Sequence, residues 1–217
     1  MNCKRSNGQR KPKIEIKAQG QLLTIKPKID YKGKISDHQD GRGEVTGFSN
    51  KSRKRLLELI ATLKANDTPG YRSNVSFLTL TCRAIHHPQN FKQYLFTWLK
   101  RLKRKSPRIA AIWRWEYQKR GAPHAHLILY NAPYVSKEWI QSSWGEVINE
   151  SRPFTRIERV NNYRQVVSYA SKYIAKQGDD GGFNHVPYLT DDGKEVERSA
   201  GRIWGVYQKE CLPYAEE

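Results

Sequence analysis

His124 and His126 alternate along Pro123-His-Ala-His-Leu-Ile-Leu-Tyr130, a segment that reads as a β-strand. Alternation sends both imidazoles to one face of a sheet. Two neutral imidazoles beside a carboxylate can hold a divalent cation. Glu116 precedes the loop Lys119-Arg-Gly-Ala-Pro123, and a hairpin with that loop brings it across to the histidine face. Gln118 has the same parity and competes as the third ligand. Three protein ligands leave positions open for water or phosphate oxygens, which metal-assisted chemistry needs and a structural site does not. A lone His-x-His is a weak signal, so the cation needs a task from elsewhere in the chain.

Tyr169-Ala-Ser-Lys-Tyr-Ile-Ala-Lys176 supplies one. On a helix, Val166, Val167, Ala170 and Ile174 form an apolar face. Tyr173 borders that face and is expected nearest the sheet, with Tyr169, Lys172 and Lys176 further round. Taken alone, this is an amphipathic helix with boundary tyrosines and solvated lysines. Taken with the histidines, it offers a nucleophile. A phenol has a pKa near about 10, and neighbouring ammonium groups and a metal favour the phenolate. Tyrosinate would attack a phosphodiester while the metal neutralises developing charge.

The elements that must position these groups follow from periodicity. Ser49 to Ala65 is predicted to be a helix capped by Ser49, with Leu56, Leu57, Leu59, Ile60 and Leu63 as its stripe. Lys51, Arg53, Lys54 and Arg55 crowd its first turns, where the helix dipole disfavours cations. They are either a solvated face or phosphate contacts. Val75–Thr81 is a predicted strand, and Gln89–Lys105 a helix ended by Pro107. Arg108–Gln118 and His124–Tyr130 are strands, Ser136–Ile148 a helix, Phe154–Val160 a strand, Asn162–Lys176 a helix, and Arg202–Tyr207 a last strand. This mixed order predicts an α+β domain, an antiparallel sheet with helices on its faces. Residues 1–45 are predicted to be a basic arm, ordered only in places, because Pro27 and the glycines weaken the short strands suggested by Ile14, Ile16, Leu22, Leu23 and Ile25. Residues 46–217 are then a single domain.

Composition bounds the partner. The 217 residues carry 39 Lys+Arg against 21 Asp+Glu, a net charge of +18, which points to a polyanion. Nucleic acid comes first, with exposed aromatics offering stacking surfaces for unpaired bases. No apolar run suits a bilayer and no signal peptide is read, so no membrane partner and a cytoplasmic location are expected, the host cytoplasm if the protein is viral. Cys3, Cys82 and Cys211 are too few and scattered for a disulfide framework or a zinc ribbon, and Cys82 reads as a small buried residue. His86, His87 and His185 read as loop histidines on the surface.

The ordered motifs resemble the rolling-circle replication initiators of the HUH endonuclease class, found in phages and plasmids. Phe77-Leu-Thr-Leu-Thr81 is similar to that family's first motif, and Pro123–Leu129 to its metal motif, with Ala125 where a bulkier residue is usual. Tyr169-x-x-Lys172-Tyr173 resembles the catalytic motif. Gly47–Arg53, Trp113–Gly121 and Gly201–Val206 also match, so the likeness runs from about residue 45 to the end.

The resemblance implies a five-stranded antiparallel sheet with an RRM-like, ferredoxin-like core. It implies nicking and later joining of single-stranded DNA at a replication origin, presented alone or in a hairpin, through a 5′-phosphotyrosine. Carried over, His124, His126 and Glu116 bind Mn2+ or Mg2+. Tyr173 ranks ahead of Tyr169, because single-nucleophile relatives usually retain the second position. Lys172 orients or charge-balances the scissile phosphate, and Lys51, Arg53, Lys54, Arg55, Lys119, Arg120, Lys176 and Arg202 are the DNA contacts. The tyrosine follows the histidines, unlike in conjugative relaxases. Gly-x-x-x-x-Gly-Lys-Ser/Thr is absent, so host helicase and polymerase are expected as separate partners. The alternatives are a transposase of the same chemistry and a non-catalytic nucleic-acid-binding module.

Overall fold

A computed structural model describes residues 14–19, 22–27, 48–63, 75–118, 120–132, 134–160, 162–170, 172, 188–189, 195–196 and 201–214. The elements run β1 (Ile14–Gln19), β2 (Leu22–Pro27), α1 (Asn50–Ala61), β3 (Val75–Thr81), α2 (Pro88–Lys105), β4 (Ala110–Tyr117) and β5 (Pro123–Tyr130). They continue with α3 (Lys137–Ile148), β6 (Thr155–Arg159), α4 (Tyr163–Tyr169), β7 (Tyr188–Leu189), β8 (Glu195–Val196) and β9 (Trp204–Tyr207).

The main sheet has five strands in the order β6-β3-β5-β4-β9, each neighbouring pair antiparallel. From β3 to β6 the chain reads β-α-β-β-α-β, the split arrangement of ferredoxin-like domains. The α+β expectation therefore holds, with β5 in the middle of the sheet.

One face of the sheet is a wall of tryptophans. Trp113 and Trp115 point from β4 toward the two long helices: Phe91 and Phe96 of α2 meet Trp115 and Trp113 with ring centroids 5.5 and 5.6 Å away. Trp144 of α3 packs edge-on to Phe91, and its indole N–H donates to the Thr81 carbonyl at 3.1 Å. Trp98 donates to Ser143 Oγ at 2.9 Å, so both buried polar tips are satisfied. Gly205 on β9 is required by this wall, because a Cβ there would sit 2.8 Å from Trp113 Cζ2. These four tryptophans are core residues, fully buried. The exposed aromatics among the described residues are instead Tyr134, Phe154 and Tyr214, which narrows the stacking surface expected from composition.

Caps set the helix ends. Ser49 and Ser136 accept from Ser52 N–H and Trp139 N–H at the starts of α1 and α3. His87 caps α2 by accepting from Gln89 N–H, with Pro88 following it in the first turn. Thus His87 is a cap and not a loop side chain, while His86 is half-buried, edge-on to Tyr94 and 3.5 Å from Glu150. His185 lies outside the described residues. Helix α1 ends at Ala61, short of the expected Ala65.

Part of the N-terminal arm is a hairpin. β1 pairs with β2 from Ile14↔Pro27 to Gln19↔Leu22. Pro27 is tolerated because it closes the strand rather than interrupting it. No helix of the described residues is long and apolar enough to cross a membrane.

Candidate metal centre and its tyrosine

The sheet face opposite the tryptophans carries the site. Cross-strand register places Glu116 directly opposite His124 and Arg114 opposite His126 on β4 and β5, while Thr79 of β3 faces His126 from the other side. His124 Nε2 lies 3.1 Å from Glu116 Oε1 and 2.9 Å from His126 Nε2, and His126 Nε2 lies 3.8 Å from the same oxygen. Three donor atoms therefore converge on one point. Neighbouring ligands on a metal with bonds of about 2.1 Å sit about 3.0–3.4 Å apart, so the triangle fits one face of a coordination shell. Two imidazoles and a carboxylate suit a divalent transition ion.

The surroundings prepare these groups for that task. Burial opposes the charge on Glu116, but hydrogen bonds from His124 and His126 and the charge of Arg114 outweigh it and hold the carboxyl far below its usual range. Burial is the main reason the His126 pKa is lowered, helped by the neighbouring charges of His124 and Arg114 and opposed by Glu116. The neutral, metal-binding imidazole is favoured. Arg114 is itself buried, its Nη2 2.9 Å from Glu116 Oε2 and its guanidinium 4.6 Å above the Phe48 ring. It occupies one carboxylate oxygen and leaves Oε1 to the histidines. The sequence pattern did not mark Arg114 as a functional residue; its parity with Glu116 was the available signal. Gln118 turns away, its amide nitrogen 3.5 Å from the Cys82 carbonyl oxygen.

On the β6 side, α4 packs onto the same face. Asn162 caps it by accepting from Gln165 N–H at 3.0 Å. Tyr169 is buried, stacked on Phe77 with centroids 3.8 Å apart and planes 4° from parallel. Its hydroxyl lies 3.3 Å from His126 Nδ1, and Thr79 Oγ1 lies 3.3 Å from the same nitrogen. This corrects the helix phase expected from sequence. Tyr169 faces the sheet with Val166 and Ala170, while Val167 is 40 % exposed. The buried stripe is Val166, Tyr169, Ala170, at i, i+3 and i+4, because Phe77 gives an aromatic ring a flat surface to cover. Ala170 and Lys172 continue in a wider, π-type turn, and Lys172 is exposed. Tyr173, Lys176 and Lys119 lie outside the described residues. A cleft of about 180 Å3 opens beside His126, walled by Phe77, Thr79, Phe154, Arg156 and Tyr169.

The other basic candidates divide by location. Lys51, Lys54 and Arg55 are exposed or partly exposed on α1, with Lys54 3.6 Å from Glu58, and Arg53 is half-buried. Arg55 and Arg202 line one groove of about 930 Å3 between α1 and β9. Extending the β4–β9 register by two residues from Trp204↔Arg114 brings Arg202 level with Glu116. Arg120 donates to the Cys82 carbonyl at 2.7 Å, so it braces the β4–β5 loop against β3.

A second group of potential donors, Cys82, His86 and Glu150, gathers at the other end of α3. Its carboxylate is already engaged: Glu150 accepts from Arg83 N–H at 2.9 and 3.0 Å and from Ala84 N–H at 2.9 Å. The Cys82 thiol is pushed up by burial and then by the Glu150 charge, away from the thiolate a metal would need. This cluster clamps the β3–α2 loop to the end of α3.

An antiparallel β-α-β-β-α-β sheet with a convergent His-His-Glu triangle on its central hairpin defines an α+β domain with a candidate metal centre. Residues 75–178, just under half of the chain, match a family of replication-associated proteins described under the name ORF2. The match runs from the start of β3 through the tyrosine motif and supports a replication-initiator role. No curated protein and no solved structure gives a match.

Proposed function

We propose that this protein initiates rolling-circle replication by cutting and rejoining single-stranded DNA at an origin, through a tyrosine-linked, metal-assisted transesterification. The observation that carries the reading is the convergence of His124 Nε2, His126 Nε2 and Glu116 Oε1 beneath a helix that enters the tyrosine motif. In the reaction, a tyrosine oxygen attacks phosphorus. A bond from the phenol oxygen to phosphorus forms, and the bond from phosphorus to the 3′ oxygen breaks. The 5′ end stays on the protein, and the free 3′ hydroxyl can prime a polymerase. Attack by a 3′ hydroxyl on the phosphotyrosine reverses the step and joins strands.

His124, His126 and Glu116 would hold the ion, which when bound polarises the scissile phosphate and neutralises its developing charge. Arg114 keeps Glu116 ionised and directed. Lys172, exposed one residue before Tyr173 in the chain, would balance phosphate charge. The groove bearing Arg55 and Arg202 would track the DNA backbone. The imidazole pair favours Mn2+ over Mg2+. Helicase and polymerase would come from the host.

The test is incubation of the full chain with single-stranded origin DNA and Mn2+. A covalent adduct that survives denaturing electrophoresis is expected, together with a free 3′ hydroxyl. Tight DNA binding without any adduct, in either metal, would leave a binding module in its place.

A further inference from the structure

We infer that Tyr169 is a positioning residue for His126 and not the nucleophile, so that the two tyrosines of Tyr169-Ala-Ser-Lys-Tyr173 have different tasks. The inference rests on the metal-assisted reading above and assigns a role within it.

Three observations carry it. First, the Tyr169 hydroxyl addresses Nδ1 of His126, whereas the atom converging with His124 and Glu116 is Nε2. The phenol thus stands behind the imidazole, on the side turned away from the donor triangle. A phenol that attacks phosphorus has to face the triangle. Second, the ring is fixed: it is buried and lies flat on Phe77. Turning the hydroxyl toward the triangle would break that stack. Third, Thr79 Oγ1 approaches the same nitrogen at the same distance, 3.3 Å. When Nε2 gives its lone pair to a metal, the ring proton resides on Nδ1 and needs an acceptor. Thr79 and Tyr169 together provide two acceptor oxygens from different elements, β3 and α4. Such partners fix the tautomer and ring orientation of a ligating histidine, and losing them typically costs about 10–100-fold in metal affinity.

The arrangement also couples the helix to the centre. Seating α4 places the hydroxyl on His126, so ion affinity reports whether the helix that leads to Tyr173 is docked.

The experiment uses the full chain in four forms: wild type, Tyr169→Phe, Thr79→Val/Tyr169→Phe and Tyr173→Phe. Each is titrated with Mn2+ alone, and each is loaded with diamagnetic Zn2+ to record the His126 Nδ1–H proton by 15N-resolved NMR. Adduct formation is then measured across Mn2+ concentrations. Tyr169→Phe is expected to weaken Mn2+ binding several-fold, and the double variant about 10-fold or more. Loss of the protected Nδ1–H signal should accompany it. Both should still form adduct, at a correspondingly higher half-saturating Mn2+. Tyr173→Phe should keep the affinity and the proton signal and lose the adduct. The inference is overturned if Tyr169→Phe abolishes the adduct while Mn2+ affinity stays at the wild-type value. It is equally overturned if the double variant keeps both affinity and proton signal. Failure of wild type to form any adduct would count against the functional reading alone, since the Mn2+ and proton measurements still decide the role of Tyr169.

Discussion

Arg114 and Glu116 stand two residues apart on the same face of β4, and the guanidinium Nη2 lies 2.9 Å from Glu116 Oε2. Arg114 is the more buried partner, at 1 % side-chain exposure against 26 % for Glu116. Removing one member of such a pair strands the other, a loss of about 3–5 kcal/mol where both are buried. Arg114→Met keeps most of the stem that packs on Phe48 but removes the charge. We expect it to lower urea stability by about 2–3 kcal/mol, somewhat less than the full value because Glu116 retains solvent contact. Mn2+ affinity should fall as well, since Oε2 loses its partner. Unchanged affinity would show that Arg114 serves packing alone.

Glu116→Gln keeps the shape of the side chain and removes its charge. With two imidazoles left, Mn2+ binding should weaken by at least about 10-fold, read by direct titration. A wild-type affinity in this variant would shift attention to Gln118, whose amide would have to rotate away from Cys82.

Stability of the metal-free protein should fall as pH drops. The sign follows from two lowered pKa values. His126 resists protonation when folded, so below its ordinary value of about 6.5 the unfolded chain binds the extra proton and gains. Glu116, held low by its hydrogen bonds, adds stability that is complete above its ordinary value of about 4.3 and disappears below it. Urea titrations with a chelator at pH 7.5, 6, 5 and 4 should show a decline that begins at about pH 6.5. His126→Asn should flatten the upper part of that slope. A wild-type protein more stable at pH 5 than at pH 7.5 would contradict this account.

Gly205→Ala tests the tryptophan wall. The new Cβ would meet Trp113 at 2.8 Å, so either the ring or β9 must move. Overpacking of this kind costs about 1–3 kcal/mol. Thermal unfolding should shift down, and amide exchange should accelerate along β9 and its partner residues Ala111–Arg114.

Glu150→Ala should release the β3–α2 loop. Three main-chain hydrogen bonds from Arg83 and Ala84 disappear with the carboxylate. Their amide protons should exchange faster, with a stability loss of about 1–3 kcal/mol. If protection at both amides survives, the loop is held by other contacts.

Much of the frame was readable from periodicity. Alternation along 123–130 placed His124 and His126 on one face, and parity put Glu116 opposite them. The long amphipathic helices and their serine caps also declared themselves. What escaped depended on pairing between distant segments. Tyr169 looked like a boundary residue because its partner, Phe77, lies 92 positions earlier, and no local pattern shows a stacked ring. Trp98, Trp113, Trp115 and Trp144 gave composition the look of a stacking surface, yet large aromatics are what two helices and a sheet need to fill a core. Glu150 lies just past a helix end, where its task is set by the loop 66 and 67 residues earlier that it fastens.

The three converging donors all belong to one hairpin. His124 is 8 positions from Glu116 and 2 from His126. Closing so short a loop costs little chain entropy, and contacts of this kind form early. Tyr169 reaches the same histidine across 43 positions. The ion site therefore has an order of assembly written into it: the hairpin gathers the donors first, and α4 arrives on a centre that already exists. During synthesis, β4 and β5 leave the ribosome before the tyrosine motif does, so the chain can capture its ion before it carries a nucleophile.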